Sequence, residues 1–145
     1  VASTQRYSLR GSGPDAVARY AGRLFDRFRE DPIPARILAW ESLELDTPAA
    51  AERRSNLCAT GVTALQHALP KLDKAAAAHL LLSIVTLTAG WWTLAHLGNV
   101  ILAGTITDDT RREVVVRQAR ELAAAANEID AQTHSSAPQR KASAS

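Results

Sequence analysis

The sequence predicts an all-α fold, a bundle of about five helices, and three observations carry that expectation. Apolar residues recur at three- and four-residue spacings in several segments, the period of a helix with one buried face. One long segment, from Ala75 to Thr107, contains no Asp, Glu, Lys or Arg. No stretch alternates apolar and polar residues between turn signals, so a sheet is not expected. The chain has 145 residues, 46% of them hydrophobic and 22% charged. That balance fits one folded domain and argues against wholesale disorder.

Residues 1–13 hold Ser3, Gly11 and Gly13 without a sustained period and read as a flexible lead-in. The first helix then opens with Ser12 and Asp15 at capping-box spacing and Pro14 in the first turn. Val17, Tyr20, Ala21, Leu24, Phe25 and Phe28 form its apolar stripe, with Arg19, Arg23, Asp26, Arg27 and Arg29 off it. Asp31 and Pro32 close this helix and start the second, in which Ile33, Ile37 and Trp40 are expected to mark the buried side, widened by Leu38 and Leu45. Thr47-Pro48 repeats the start signal. The third helix runs to about Leu69, with Leu57, Gly61, Leu65, Ala68 and Leu69 on one side, and Pro70 stops it. A glycine inside a helix costs about 1 kcal/mol against alanine, so Gly61 implies a close helix contact.

The charge-free segment supplies the fourth helix, His79-Leu80-Leu81-Leu82 through Trp91-Trp92 to Leu97. A helix apolar on every side lies in a membrane or at the centre of a protein assembly. Ser83, Thr86, Thr88, Gly90, Thr93, His96 and Asn99 are spread around it, and a lone span would expose several of them to lipid. The expectation is therefore a central helix covered by its own chain on one side and by a partner on the other. The fifth helix starts near Thr107 with Asp108 and Asp109 at its positive end. Val115, Ala119, Leu122, Ala126 and Ile129 repeat in it as a heptad-like seam of partly small residues, which lets a second helix come close. Residues 131–145 read as a disordered basic Ser/Ala tail. The folded domain is thus expected over residues 14–130.

The formal charge is +2, too small to draw nucleic acid over the whole surface, and Arg6, Arg10, Arg140 and Lys141 place part of the basicity at the ends. A single cysteine, Cys58, excludes an intramolecular disulfide and fits a cytoplasmic location. The chain opens Val1-Ala2-Ser3 and contains no methionine, which reads as a piece of a longer protein. Arginine over lysine and abundant alanine fit a bacterial coding sequence rich in G and C.

No catalytic motif is present: there is no nucleophile elbow, no phosphate-cradling glycine loop and no His-Glu-x-x-His. His67, His79, His96 and His134 are not paired at ligand spacing, so no metal and no cofactor are expected, and the chain reads as a non-enzyme. Cys58 is expected in the core, and Glu41 and Glu44 on a solvated helix face. Trp91 and Trp92 are adjacent and point about 100° apart. One could line a cavity while the other packs at an interface. Thr86, Thr88 and Thr93 either give an apolar pocket its polar fixtures or bond back to the preceding turn.

In this order the helices resemble the C-terminal regulatory domain of the TetR family of transcriptional regulators. Three blocks carry the likeness: Tyr20 to Phe28 through Asp31-Pro32 to the Trp40-Glu41 element, the charge-free helix from Ala75 to Leu97, and the closing helix from Asp108 to Ile129. The resemblance implies that the last two helices pair with their copies in a four-helix dimer interface and that the preceding helices enclose a ligand cavity. It implies a homodimer with an effector, and DNA contact only through an N-terminal helix-turn-helix that residues 1–13 cannot encode; the charge-free helix points to a small apolar or aromatic effector over a highly charged one. The pocket candidates are Phe28, Trp40, Val62, Thr88, Trp91 and Trp92. The interface candidates are Ile84, Leu87, Val115, Ala119, Leu122, Ala126 and Ile129. Two other readings compete: a homodimeric helical interaction module with a filled core, and a single-span membrane-anchored protein.

Overall fold

The computed structural model describes residues 9–47 and 51–135, with side chains described as far as Ile129. The described residues form six helices and no strand: α1 (Gly13–Glu30), α2 (Ile33–Glu44), α3 (Ala51–Ala68), α4 (Lys74–Thr93), α5 (Ala95–Ile101) and α6 (Asp108–Ser135). The expected all-α bundle is therefore what the chain forms. Pro48 and the tail beyond Ser135 lie outside the described residues, as does most of the lead-in.

α1 and α6 make the most extensive pairing in the molecule. Ala18, Ala21 and Gly22 on α1 and Val115, Ala119 and Ala123 on α6 are buried, and such small side chains let two backbones approach closely. Salt bridges run along the pair. Arg112 donates to both carboxylate oxygens of Asp26, at 2.8 Å each, and Arg120 donates to Asp15 at 2.6 Å. Asp15 thus serves α6 instead of a capping box, for Ser12 sits at the N-cap without a side-chain bond.

α4 runs through the centre, against α1, α2, α3 and α6. Asp73 caps it by accepting from the Ala76 N–H at 2.7 Å. Ala77, Leu80, Leu81 and Ile84 meet Val17, Leu65, Leu69 and Ala123 in the main core. Gly61 allows the close contact expected of it, since a Cβ there would stand 3.0 Å from Leu81 Cδ2.

Two further expectations change. The charge-free segment is not one helix: α4 ends at Thr93, Leu94 leaves helical geometry, and the short α5 follows. The chain then turns through Ala103 and Gly104, both at positive φ, and returns as α6. A straight continuation of α4 would have carried α6 away from α1, where its small residues are buried. The second change is the phase of α2. Ile33, Ile37 and Trp40 are 60%, 43% and 56% exposed, while Ala35 and Glu41 are the buried residues. α2 is apolar around most of its circumference, so its pattern favours no face. The side that lies inward is the one carrying the small Ala35 and Glu41.

Candidate ligand site and pairing face

Three helices meet in a second, smaller core beside the main one. α1 supplies Phe28, α4 supplies Ala89, and α2 covers them with Ala35; Leu24 and Trp92 pack at the edge. The Trp92 ring centroid lies 4.6 Å from that of Phe25 and 6.0 Å from that of Phe28, both pairs tilted. Thr88 is wholly buried one turn before Trp92 on α4. Its hydroxyl donates back to the Ile84 and Val85 carbonyls at 2.8 and 3.1 Å, and Thr86 does the same to Leu82 at 2.9 Å. The Thr86 and Thr88 hydroxyls are therefore satisfied within their own helix.

The wall of α2 is held from a second point. Glu41 is only 6% exposed and accepts a hydrogen bond from Arg54 on α3. That hydrogen bond, the first cause, and the charge of Glu41 hold the Arg54 guanidinium above its ordinary pKa, against the opposing effect of desolvation. α2 and α3 each lie against α4 but scarcely touch one another, so the ion pair spans the space between them. Glu41 is thus no member of a solvated acidic face; Glu44 is exposed, but Glu41 is an inward carboxylate with a guanidinium partner. Nothing in the local sequence marks it, because its partner lies on another helix.

The pocket candidates do not converge on one place. Phe28 and Trp92 border the small core under α2, and Thr88 is buried one turn before Trp92. Val62 belongs to the main core. Trp40 stands more than half exposed on the outer side of α2. Trp91 faces the start of α6, where its indole N–H donates to Asp108 at 2.7 Å and the Arg111 guanidinium lies 6.0 Å from its ring centroid. The two adjacent tryptophans do serve different neighbours, as their angular separation requires. Cys58 is exposed, not a core residue. Among the described residues no group of His, Cys, Asp or Glu is arranged to hold a metal ion. An open groove of about 570 Å³ runs along α3 past Asn56, Thr60, Thr63 and His67, but a single helix lines it.

The interface candidates divide as well. Ile84, Val115 and Ala119 are 0% exposed within their own chain, so they have no surface to offer a second copy. The small seam residues of α6 serve α1 instead. Leu122 and Ile129 are 39% and 65% exposed, and Leu87 and Ala126 keep part of their surface. Val114, Gln118, Leu122, Ala125 and Ile129 follow one another along α6 at steps of three and four, one uncharged stripe outside the α1 contact. Within it the Gln118 Oε1 is shut off from solvent without a hydrogen-bond donor. α4 in turn keeps an uncharged outer side on which Leu82 is 64% exposed.

No curated protein and no solved structure matches the chain. A family model does, that of the tetracyclin repressor-like C-terminal domain, over residues 16–121. The match runs from the first turn of α1 into α6, across both the small core and the α1–α6 pairing, and the protein belongs to that family.

Proposed function

We propose that the chain is the effector-sensing and dimerising domain of a TetR-like transcriptional regulator, with DNA contact made by a helix-turn-helix outside residues 14–130. The observation that carries this reading is the central helix. α4 has no charge after Lys74, yet only a third of its most apolar window is buried inside the chain. Leaving that much apolar surface in water is unfavourable by roughly 25 cal/mol per Å². A second copy that lays its own α4 and α6 on this side would remove it from water and form a four-helix contact.

By length and composition α4 could also cross a bilayer. Its surroundings favour a protein partner. α1 and α6 pack along it and carry Asp15, Arg23, Arg27, Arg117 and Arg120 on their exposed sides. Lipid around α4 would have to receive those charges too.

The sensing part is placed at the small core, where the Phe28 and Trp92 rings under α2 suit an apolar or aromatic effector. Ligand bound there shifts the balance between two dimer states, and with it the spacing of the attached heads. No step in this role is chemical, and neither a metal nor a cofactor enters it. A filled interaction module without a ligand is the second reading, favoured by the backward bonds of Thr86 and Thr88. Tryptophan fluorescence with a panel of aromatic compounds separates them. Saturable quenching that Phe28→Ala weakens supports a sensor; silence across chemically varied compounds supports the module.

A further inference from the structure

We infer that α2 is a displaceable cover over the small core and that the effector that displaces it is an aromatic cation. This inference rests on the sensing role proposed above and names its ligand class. Apart from the short α5, which buries no residue, α2 is the helix with the least holding it. Of its residues only Ala35 and Glu41 are buried, and its larger apolar side chains Ile33, Trp40 and Leu43 face outward. Moving it away uncovers two things. Phe28, Ala89 and Trp92 lose the Ala35 methyl group, and Glu41 loses Arg54.

The two losses are unequal in kind. The aromatic patch accepts any flat apolar group. The carboxylate is more demanding, because a charge withdrawn from water must keep a partner or pass back into solvent. Of the two charged groups Glu41 is the enclosed one, whereas the Arg54 side chain is 32% exposed and can turn to water. An anionic ligand that took Arg54 would strand Glu41. A neutral ring would leave the Glu41–Arg54 pair in place and would have to squeeze beneath it. A ring bearing an ammonium group answers both needs. The ring lies on Phe28 and Trp92, and the cation replaces the guanidinium at Glu41. Glu41 lies six positions after Ala35, a rise of about 9 Å along a helix, so a short chain must link ring and charge.

Three probes matched in ring and linker test this: naphthylpropylammonium, naphthylpropanol and naphthylpropionate, each titrated into the whole chain by calorimetry at constant salt. The cation is expected to bind about tenfold tighter than the alcohol, a modest difference for a charge-assisted bond, with the anion weakest. Glu41→Gln, checked for native helicity by circular dichroism, is expected to abolish the cation's advantage over the alcohol. Hydrogen exchange of the wild-type chain supplies a second measurement, with α2 amides exchanging faster in the cation complex and α1 amides unchanged. Equal affinity of all three probes for the wild-type chain, or a cation preference that survives Glu41→Gln, overturns the ligand class and leaves the sensing role standing. If none of the three binds, the ligand class falls, and the sensing role is decided by the panel of varied compounds.

Discussion

Arg112 reaches from α6 to grip both carboxylate oxygens of Asp26 on α1, and it passes directly over Gly22 to do so. The two bonds are 2.8 Å each, and a Cβ on Gly22 would stand 2.9 Å from Arg112 Nη2 and 3.2 Å from Val116 Cγ2. Hydrogen bonding to Asp26, the larger cause, and the Asp26 charge raise the Arg112 pKa, so the guanidinium is charged at any pH the fold experiences. Asp26 also accepts from Arg29, which in turn reaches Asp109 at 2.7 Å. A missing methyl group thus positions the ionic tie between the two most closely packed helices.

Gly22→Ala should therefore destabilise the chain by about 1–3 kcal/mol, the cost of overpacking, even though alanine is the better helix former by about 1 kcal/mol. Urea denaturation followed by circular dichroism measures it. In an Arg112→Ala background the same change should cost less, because one of the two obstructing groups is gone. Equal costs in both backgrounds would show that Arg112 does not set the spacing.

Gly61→Ala should behave differently. Its new methyl would meet only the flexible end of Leu81, at 3.0 Å from Cδ2. Propensity gain and local crowding then nearly cancel, and the net change should stay within about 1 kcal/mol. The same denaturation experiment compares the two glycines directly.

Phe28 and Trp40 should separate sharply under substitution. Phe28→Ala removes a 6%-exposed ring from the small core and should cost about 3–5 kcal/mol. Trp40→Ala removes a side chain that is 56% exposed and should change stability by no more than about 0.5 kcal/mol. Acrylamide quenching supplies a check: the fluorescence lost with Trp40 should be the most accessible fraction.

How much of this was legible in the sequence depended on the strength of the pattern. α1 announces itself through one stripe, Val17 to Phe28, and stands where expected; α4 announces itself through the absence of charge but ends at Thr93, short of the expected Leu97. Gly61 was readable because glycine is unfavourable in a helix unless something lies close. The phase of α2 was not, since apolar residues nearly surround it and its inward carboxylate is explained only by Arg54 on the next helix. The break at Leu94 carries no proline, and Gly90 lies four residues before it. The seam on α6 spoke of close approach without naming the neighbour. Val115 and Ala119 found it in α1 of the same chain, and Leu122 and Ile129 are left facing outward. Of the site, the rings of Phe28 and Trp92 were visible and the lock at Glu41 was not.

The remaining outward stripe gives the most direct measurement. Sedimentation equilibrium in plain buffer should return twice the mass of one chain, and Leu122→Glu, which puts a charge into the uncharged stripe beside Gln118 and Ile129, should return the mass of a single chain with helicity retained. A wild-type chain that stays monomeric at high concentration, or a Leu122→Glu chain as tightly paired as the wild type, would contradict the pairing of α4 and α6 with their copies.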